Sequence, residues 1–106
     1  MTCDRIIANA SPLIFLSKAE GLDWLACLSQ DPVLIPQAVV WEIEAGYCGM
    51  DLIAELQNHS NFSIVPDMSL PKEIAAWDLG SGESQVLAQC WKSSKMSCAI
   101  LDDLAA

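Results

Sequence analysis

Two adjacent aspartates, Asp102 and Asp103, directly follow an apolar run at residues 98–101. Four residues of a buried type in succession predict a short central strand. The first apolar run, at residues 6–8, also ends in a short polar residue, Asn9. Because ligands in open α/β sheets bind just beyond the carboxyl ends of the strands, these side chains are expected at the binding crevice. Adjacent residues of an extended strand point in opposite directions, so one aspartate is expected to face the crevice while the other caps the next helix.

Two glutamates lie in predicted helices between these strands. Glu42 has apolar neighbours three and four residues away. Glu83, Leu87 and Cys90 follow one another at the spacing i, i+4, i+7, so we expect Glu83 at the end of a core-facing stripe. Converging carboxylate and amide oxygens favour a divalent cation. Simpler interpretations stay open: Asn9 as a turn residue, Glu42 at a helix edge, and Glu83 as an acid that the helix dipole stabilises by about 0.3–1 kcal/mol.

Length and composition fit one soluble domain with one core. The chain has 106 residues, of which 53% are hydrophobic, and no apolar stretch approaches the roughly 20 residues that span a bilayer. The amino terminus lacks the basic start and long apolar core of a secretory signal, so we expect a cytoplasmic protein that does not bind membranes.

The net charge is −9, from 14 acidic and 5 basic residues. This balance argues against tight nonspecific binding to nucleic acid, which depends on Lys and Arg along the phosphates. It is compatible with a nuclease, because cations held by carboxylates reverse the local field.

Several other residue types suggest no chemistry of their own. The five cysteines form no C-x-x-C pair, and His59 is the only histidine and has no obvious partner, which argues against a zinc site and a disulfide framework. We expect most of the cysteines to be small core residues. We expect the four tryptophans to pack in the core or at a subunit interface rather than to stack on bases. These are Trp24, Trp41, Trp77 and Trp91.

Alternating strands and helices predict a parallel sheet in an α/β sandwich. The strands are expected at residues 5–8, 33–35, 62–65 and 98–101. Ser11 is expected as the N-cap of the first helix, with Pro12 at its first position, and Pro36 is expected to begin the third helix. The last strand has no later strand to cover it and is expected at an edge of the sheet, so we expect either a domain that is incomplete at its carboxyl end or a partner that covers this edge.

The order and content of four segments resemble PIN-domain proteins, especially a bacterial subgroup akin to VapC-type toxins. The segments are IIANASPLIFLSKAEGLDWL (6–25), VLIPQAVVWEI (33–43), LGSGESQVLAQC (79–90) and CAILDD (98–103). Each is weakly specific alone, but together they follow the family's order over nearly the whole chain. In this alignment the family's acids correspond to Glu42, Glu83 and the terminal aspartate pair, while Asn9 stands where the family usually has Asp.

The resemblance implies a three-layer α/β/α sandwich with a parallel central sheet, in which the first and fourth strands are neighbours. Residues 1–106 would then be a single PIN-like domain without the family's last strand. It also implies a ribonuclease that cleaves single-stranded RNA with Mg²⁺ or Mn²⁺, and many relatives are toxins that dimerise and are inhibited by an antitoxin protein.

These implications lead to a specific expectation for the site. Glu42, Glu83 and Asp102 are expected to be catalytic. The metal ligands are expected to be Asn9, Glu42, Glu83, Asp102 and Asp103. Ser11 is expected either to bond one of the ligating carboxylates or only to cap the first helix.

Two alternatives to a nuclease remain at this stage. One is a catalytically inactive PIN-like domain that binds partners or forms oligomers, which the amide at Asn9 and the acidic surface favour. The other is a phospho-acceptor receiver domain, a parallel α/β fold whose acid pair normally ends the first strand, whereas here it ends the last.

Overall fold

The computed structural model describes residues 5–46, 49–92 and 97–100. Its elements, in chain order, are β1 (Arg5–Ala8), α1 (Ala10–Lys18), α2 (Leu22–Cys27), β2 (Val33–Pro36), α3 (Gln37–Glu44), α4 (Gly49–Asn58), β3 (Phe62–Val65), α5 (Lys72–Ala75), α6 (Ser81–Lys92) and β4 (Ser97–Ile100). Within these ranges, no helix is long and apolar enough to cross a membrane.

The four described strands form one parallel sheet in the order β3-β2-β1-β4. Ala8 at the end of β1 pairs with Ile100 at the end of β4. The carboxyl ends of all four strands therefore lie at one edge of the sheet, which we call the carboxyl edge, and Asn9 follows β1 there. The predicted α/β fold with a parallel sheet, and the adjacency of the first and fourth strands, are confirmed.

Both faces of the sheet are covered. Ile6 and Ile7 are consecutive in β1 and point to opposite faces, yet they are only 2% and 0% exposed. The helices supply further fully buried side chains, among them Leu13, Ile43 and Val86. Each side chain of this kind contributes about 1.5–3 kcal/mol when it is buried. Helices on both faces of a parallel sheet give the three-layer arrangement that the sequence predicted.

Two predicted helix starts were wrong by one or two residues. Helix α1 begins at Ala10, with Asn9 rather than Ser11 at the N-cap. Pro36 is the last residue of β2, and α3 begins at Gln37. The ψ angle of 150° at Pro36 is that of an extended residue, and the fixed φ of proline suits a strand end as well as a helix start.

The tryptophans do not lie in the core. Their exposed fractions range from 56% for Trp91 to 63% for Trp24. In α3 the neighbouring Val40 and Ile43 are buried, and Trp41 falls on the outer side of the same helix. Of the two predicted locations, the core is therefore ruled out, and a subunit interface stays a prediction.

Two of the five cysteines have side chains in the described part of the chain, and of these Cys90 packs against the core. Cys27 is exposed and Cys90 is partly buried. Burial raises the pKa of the Cys90 thiol above its ordinary value.

The chain between β3 and α5 is fastened to two helices. The side chain of Gln85 in α6 donates to the carbonyl of Met68 at 2.8 Å and accepts from the amide of Met68 at 2.9 Å. One turn later, Gln89 donates to the carbonyl of Pro66 at 3.2 Å. On the α3 side, the amide of Ala38 donates to Oδ1 of Asp67 at 2.9 Å. Residues 66–70 therefore hold a defined position without regular secondary structure.

Substitution of the two glutamines should affect stability unequally. Gln85→Ala should lower the free energy of unfolding by about 1–3 kcal/mol, because it removes two hydrogen bonds from a buried side chain. Gln89→Ala, which removes one longer bond at an exposed position, should lower it by less than about 1 kcal/mol. Urea unfolding measures both values. Equal losses would show that the bonds to Met68 do not hold this segment.

The raised pKa of Cys90 should be visible in its alkylation. At about pH 8 the thiolate is the reactive form, so iodoacetamide should modify Cys27 well before Cys90. The rate at Cys90 should still be rising at a pH where an ordinary thiol is already fully ionised, because its titration is displaced upward. Peptide mapping by mass spectrometry follows each site separately. Equal rates for the two cysteines in the folded protein would contradict the description.

Candidate functional site

Asn9 places an amide oxygen at the carboxyl edge of the sheet. It follows β1 as the N-cap residue of α1, but its side chain makes no capping hydrogen bond. Its Oδ1 is buried and has no hydrogen-bond partner among the described residues. A buried acceptor left without a partner costs about 1–3 kcal/mol. This oxygen is therefore available to a cation or to a ligand that donates a hydrogen bond.

Glu42 reaches from α3 to the beginning of α6. Its Oε1 accepts a hydrogen bond from the amide of Gly82 at 2.8 Å. Amides in the first turn of a helix have no partner within the helix, and the helix dipole favours a negative charge at this end. The contact therefore stabilises the start of α6 and fixes one oxygen of the Glu42 carboxylate, although the residue as a whole is exposed.

Gly82 permits this close approach. A Cβ atom at position 82 would lie 2.7 Å from Oε1 and 2.8 Å from Cδ of Glu42, whereas a Cβ at Gly80 would meet nothing within 4 Å. Gly82 was not among the site residues predicted from the sequence. One feature of the sequence could have indicated it: Gly82 lies inside the first turn of a predicted helix, although glycine is less favourable than alanine in a helix by about 0.8–1.0 kcal/mol.

Glu83 occupies the same turn as Gly82 but does not head a core-facing stripe. Glu83, Leu87 and Cys90 are all only partly buried. The buried face of α6 instead carries Gly82 and Val86 at i and i+4, together with Gln85. The apolar and small residues of α6 occur on more than one side of the helix, so their spacing does not show which side is buried. Only the packing of α6 against the sheet decides this. The structure thus brings the carboxylate of Glu42 to the turn that carries Glu83.

The remaining predicted site residues lie elsewhere or outside the described part. Asp102 and Asp103 lie outside the described residues. Ser11 is exposed and makes no side-chain hydrogen bond with a described residue, so its proposed bond to Glu42 or Glu83 is absent within the described ranges.

The atoms that the predicted ligands offer can be compared with those that bind metal ions in proteins. Among the described residues, no group of three or more His, Cys, Asp and Glu side chains is placed to hold a metal ion. Asn9, Glu42 and Glu83 offer only oxygen atoms, and the buried oxygen of Asn9 has no other partner. Oxygen donors of this kind match a hard divalent cation, for which they would form part of the ligand shell.

A groove of about 510 Å³ lies next to Glu42, between α3, α6 and residues 66–70. We call it the α3–α6 groove. Its lining is mainly apolar, with acidic groups at Glu42 and Asp67. The lining consists of Ala38, Trp41, Glu42, Ala45, Asp67, Leu70, Leu79, Ser81, Ser84 and Gln85.

His59 has a partner that the sequence did not reveal. Its Nε2 lies 2.7 Å from Oδ1 of Asp23 in α2, and its Nδ1 accepts from the amide of Asn61 at 3.2 Å. Nε2 therefore carries the proton that is donated to Asp23. The ring also packs edge-on against Phe62 at the amino end of β3. This group belongs to the opposite edge of the sheet from Asn9.

The contact between Glu42 and Gly82 predicts strong coupling between two substitutions. Gly82→Ala alone should lower the free energy of unfolding by about 1 kcal/mol relative to Gly80→Ala, because the new Cβ displaces the carboxylate and removes its hydrogen bond. In a Glu42→Ala background the obstruction is absent, so Gly82→Ala should be neutral or stabilising. Urea unfolding of the four proteins of this cycle measures the coupling. Additive effects would contradict the geometry.

The sequence matches a family model described as a PIN domain over residues 5–106. Neither the curated proteins nor the solved structures contain a match to it. The matched region covers nearly the whole chain and includes the four described strands of the parallel sheet. The chain therefore belongs to the PIN-domain family.

Proposed function

We propose that this protein is a Mg²⁺- or Mn²⁺-dependent ribonuclease that cleaves single-stranded RNA. Membership of the PIN-domain family gives it a nuclease-like fold. The observation that carries the proposal is the buried oxygen of Asn9, which has no partner among the described residues and lies at the carboxyl edge. The resemblance to VapC-type toxins extends the proposal to a cytoplasmic toxin that forms oligomers and is inhibited by an antitoxin.

The proposed ligands are Asn9, Glu42, Glu83, Asp102 and Asp103, with Glu42, Glu83 and Asp102 as the catalytic acids. Glu42 is held by the amide of Gly82 through Oε1, which leaves Oε2 free of hydrogen bonds from the described residues. A hydrogen bond to one oxygen orients a carboxylate and so fixes the direction in which the other oxygen can bind.

A divalent cation bound there would activate water for attack and neutralise charge that develops on the phosphate. The residues of the chain hold the ion and position it. Without a cation, a site of carboxylates in a protein of net charge −9 repels the substrate's phosphates. Activity should therefore depend on the metal both for chemistry and for substrate binding.

Cleavage of a fluorescent single-stranded RNA tests the proposal directly. Activity should require Mn²⁺ or Mg²⁺ and disappear in EDTA. Glu42→Gln and Glu83→Gln should each lower the rate by about 100-fold or more, since each removes a charge that holds the cation while preserving side-chain shape. Glu42→Gln also keeps a carbonyl oxygen that can accept from Gly82.

Glu44→Gln is the matched control for these variants. Glu44 lies in α3, two residues from Glu42, and is exposed away from the site. It should retain full activity. Unchanged activity in Glu42→Gln and Glu83→Gln would defeat the proposal.

Asn9 offers a second test that does not depend on activity. Asn9→Asp should melt at a lower temperature than the parent in EDTA, because it buries a carboxylate without a partner. Mn²⁺ should then raise the melting temperature of Asn9→Asp more than that of the parent, because a carboxylate is a stronger ligand than an amide. Asn9→Ala should respond to Mn²⁺ less than either. Equal responses in all three proteins would place Asn9 outside the metal site.

Two observations favour a second candidate, a catalytically inactive PIN-like module that binds partners or forms oligomers. Asn9 is neutral, and the carboxylate of Glu42 already has a structural role at Gly82. Under this alternative, millimolar Mn²⁺ would not change the melting temperature of the parent protein, and the RNA would stay intact.

A further inference from the structure

We propose that the α3–α6 groove binds one unpaired RNA base that carries an exocyclic amino group, with Trp41 as its stacking surface and Asp67 as its hydrogen-bond acceptor. The inference rests on the proposed ribonuclease function, which supplies the RNA. It adds a subsite that would determine the base preferred beside the cleaved phosphate.

The size and lining of the groove suit a flat aromatic ligand. Its volume of about 510 Å³ lies within the range of small-molecule sites. Ala45, Leu70 and Leu79 contribute apolar surface, on which the faces of a base are better accommodated than a phosphate.

Trp41 provides a ring at this position. It is 59% exposed, although Val40 beside it is only 4% exposed. Among the four tryptophans, which are all more than half exposed, Trp41 is the one that lines the groove. Stacking of a base on an aromatic side chain contributes about 1–3 kcal/mol and requires only that the ring face be accessible.

The charge of the groove determines which part of a nucleotide it accepts. Glu42 and Asp67 are its two charged side chains, and both are acidic. They disfavour a phosphate inside the groove and favour groups that donate hydrogen bonds. The backbone phosphates would therefore stay outside, toward the proposed cation.

Asp67 is the acceptor that can distinguish bases. Its Oδ1 accepts from the amide of Ala38, while Oδ2 has no hydrogen bond from the described residues. Gln85 also lines the groove, but its amide oxygen and nitrogen both bond to Met68, so it is not available to a base. Adenine and cytosine present an exocyclic amino donor on the edge where uracil presents a carbonyl oxygen, and guanine presents its amino donor at C2.

Glu42 connects the groove to the proposed reaction site. It lines the groove and also belongs to the proposed ligand set. A base held on Trp41 would therefore lie directly beside the phosphate that is cleaved, and its identity would affect the rate of cleavage.

Cytidine and uridine give a matched pair of probes, since they differ at the amino and carbonyl groups and carry no phosphate. Each is titrated in EDTA against protein labelled with ¹⁵N, with the indole N–H of Trp41 as the reporter. Cytidine should shift this resonance and bind about tenfold more tightly than uridine, the discrimination expected of one hydrogen bond to a charged acceptor. The amide resonances of Ser81 and Ser84 report binding in variants that lack Trp41.

Three substitutions separate the two contacts. Trp41→Ala should weaken cytidine binding by at least about fivefold. Trp24→Ala, which removes a tryptophan of similar exposure from α2, should leave it unchanged. Asp67→Asn keeps an oxygen for the amide of Ala38 but replaces the other acceptor by a donor, so it should reverse the preference toward uridine.

Equal binding of cytidine and uridine, or equal losses in Trp41→Ala and Trp24→Ala, would overturn the proposal. Because the probes have no phosphate and the assay has no metal, such a failure would leave the ribonuclease proposal intact. Discrimination between the nucleosides in a protein that cleaves no RNA would support the groove and reject the proposed function.

Discussion

The first-turn amides of two helices impose the constraint on which this structure depends. Helix α3 follows Pro36 and α6 follows Gly80, and neither residue has a side chain that accepts a hydrogen bond. The missing acceptors come from elsewhere in the chain. Oδ1 of Asp67 accepts from Ala38, and Oε1 of Glu42 accepts from Gly82. Each contact satisfies an amide that local sequence leaves without a partner, and each also fixes one element relative to another.

Together with the hydrogen bonds of Gln85, these two contacts connect α3, α6 and residues 66–70 in a ring. Residues 66–70 bind α3 through Asp67, α3 binds α6 through Glu42, and α6 returns to residues 66–70 through Gln85. The α3–α6 groove lies inside this arrangement. Its shape is therefore determined by polar contacts, while the apolar core beneath holds the helices on the sheet.

The same contacts explain how so acidic a chain positions its carboxylates. Helix amino termini are favourable places for negative charge, and Glu42 and Asp67 each occupy one. Both side chains still keep an oxygen that no described residue binds. Within the proposed function, that of Glu42 faces a cation and that of Asp67 faces a base. An acidic surface then becomes compatible with an RNA substrate, because the phosphates meet the cation and not the carboxylates.

Much of the fold could be predicted from the sequence, but less of the site. The apolar runs at residues 6–8 and 33–35 correctly indicated buried parallel strands, because a strand covered on both faces is apolar throughout. The run at residues 62–65 correctly indicated a strand as well, but this strand lies at the edge of the sheet and is mostly only partly buried. The position of Asn9 at the carboxyl edge followed from the same pattern. The prediction failed for the face of Glu83, because the spacing of α6 fits more than one helix face. Core positions for the tryptophans could not be decided from the sequence either, because size and apolarity do not reveal which side of a helix packs on the sheet.

The sequence by itself determined the strands, the helices and their alternation. The physical basis is local, because the spacing of hydrophobic residues and the turn residues influence the backbone only within a few positions. Only the tertiary structure decided the contacts between Glu42 and Gly82, 40 residues apart, between Asp67 and Ala38, 29 apart, and between His59 and Asp23, 36 apart. Such partners meet only after the helices have packed on the sheet. The physical reason is that a helix end needs an acceptor but does not specify which distant residue supplies it.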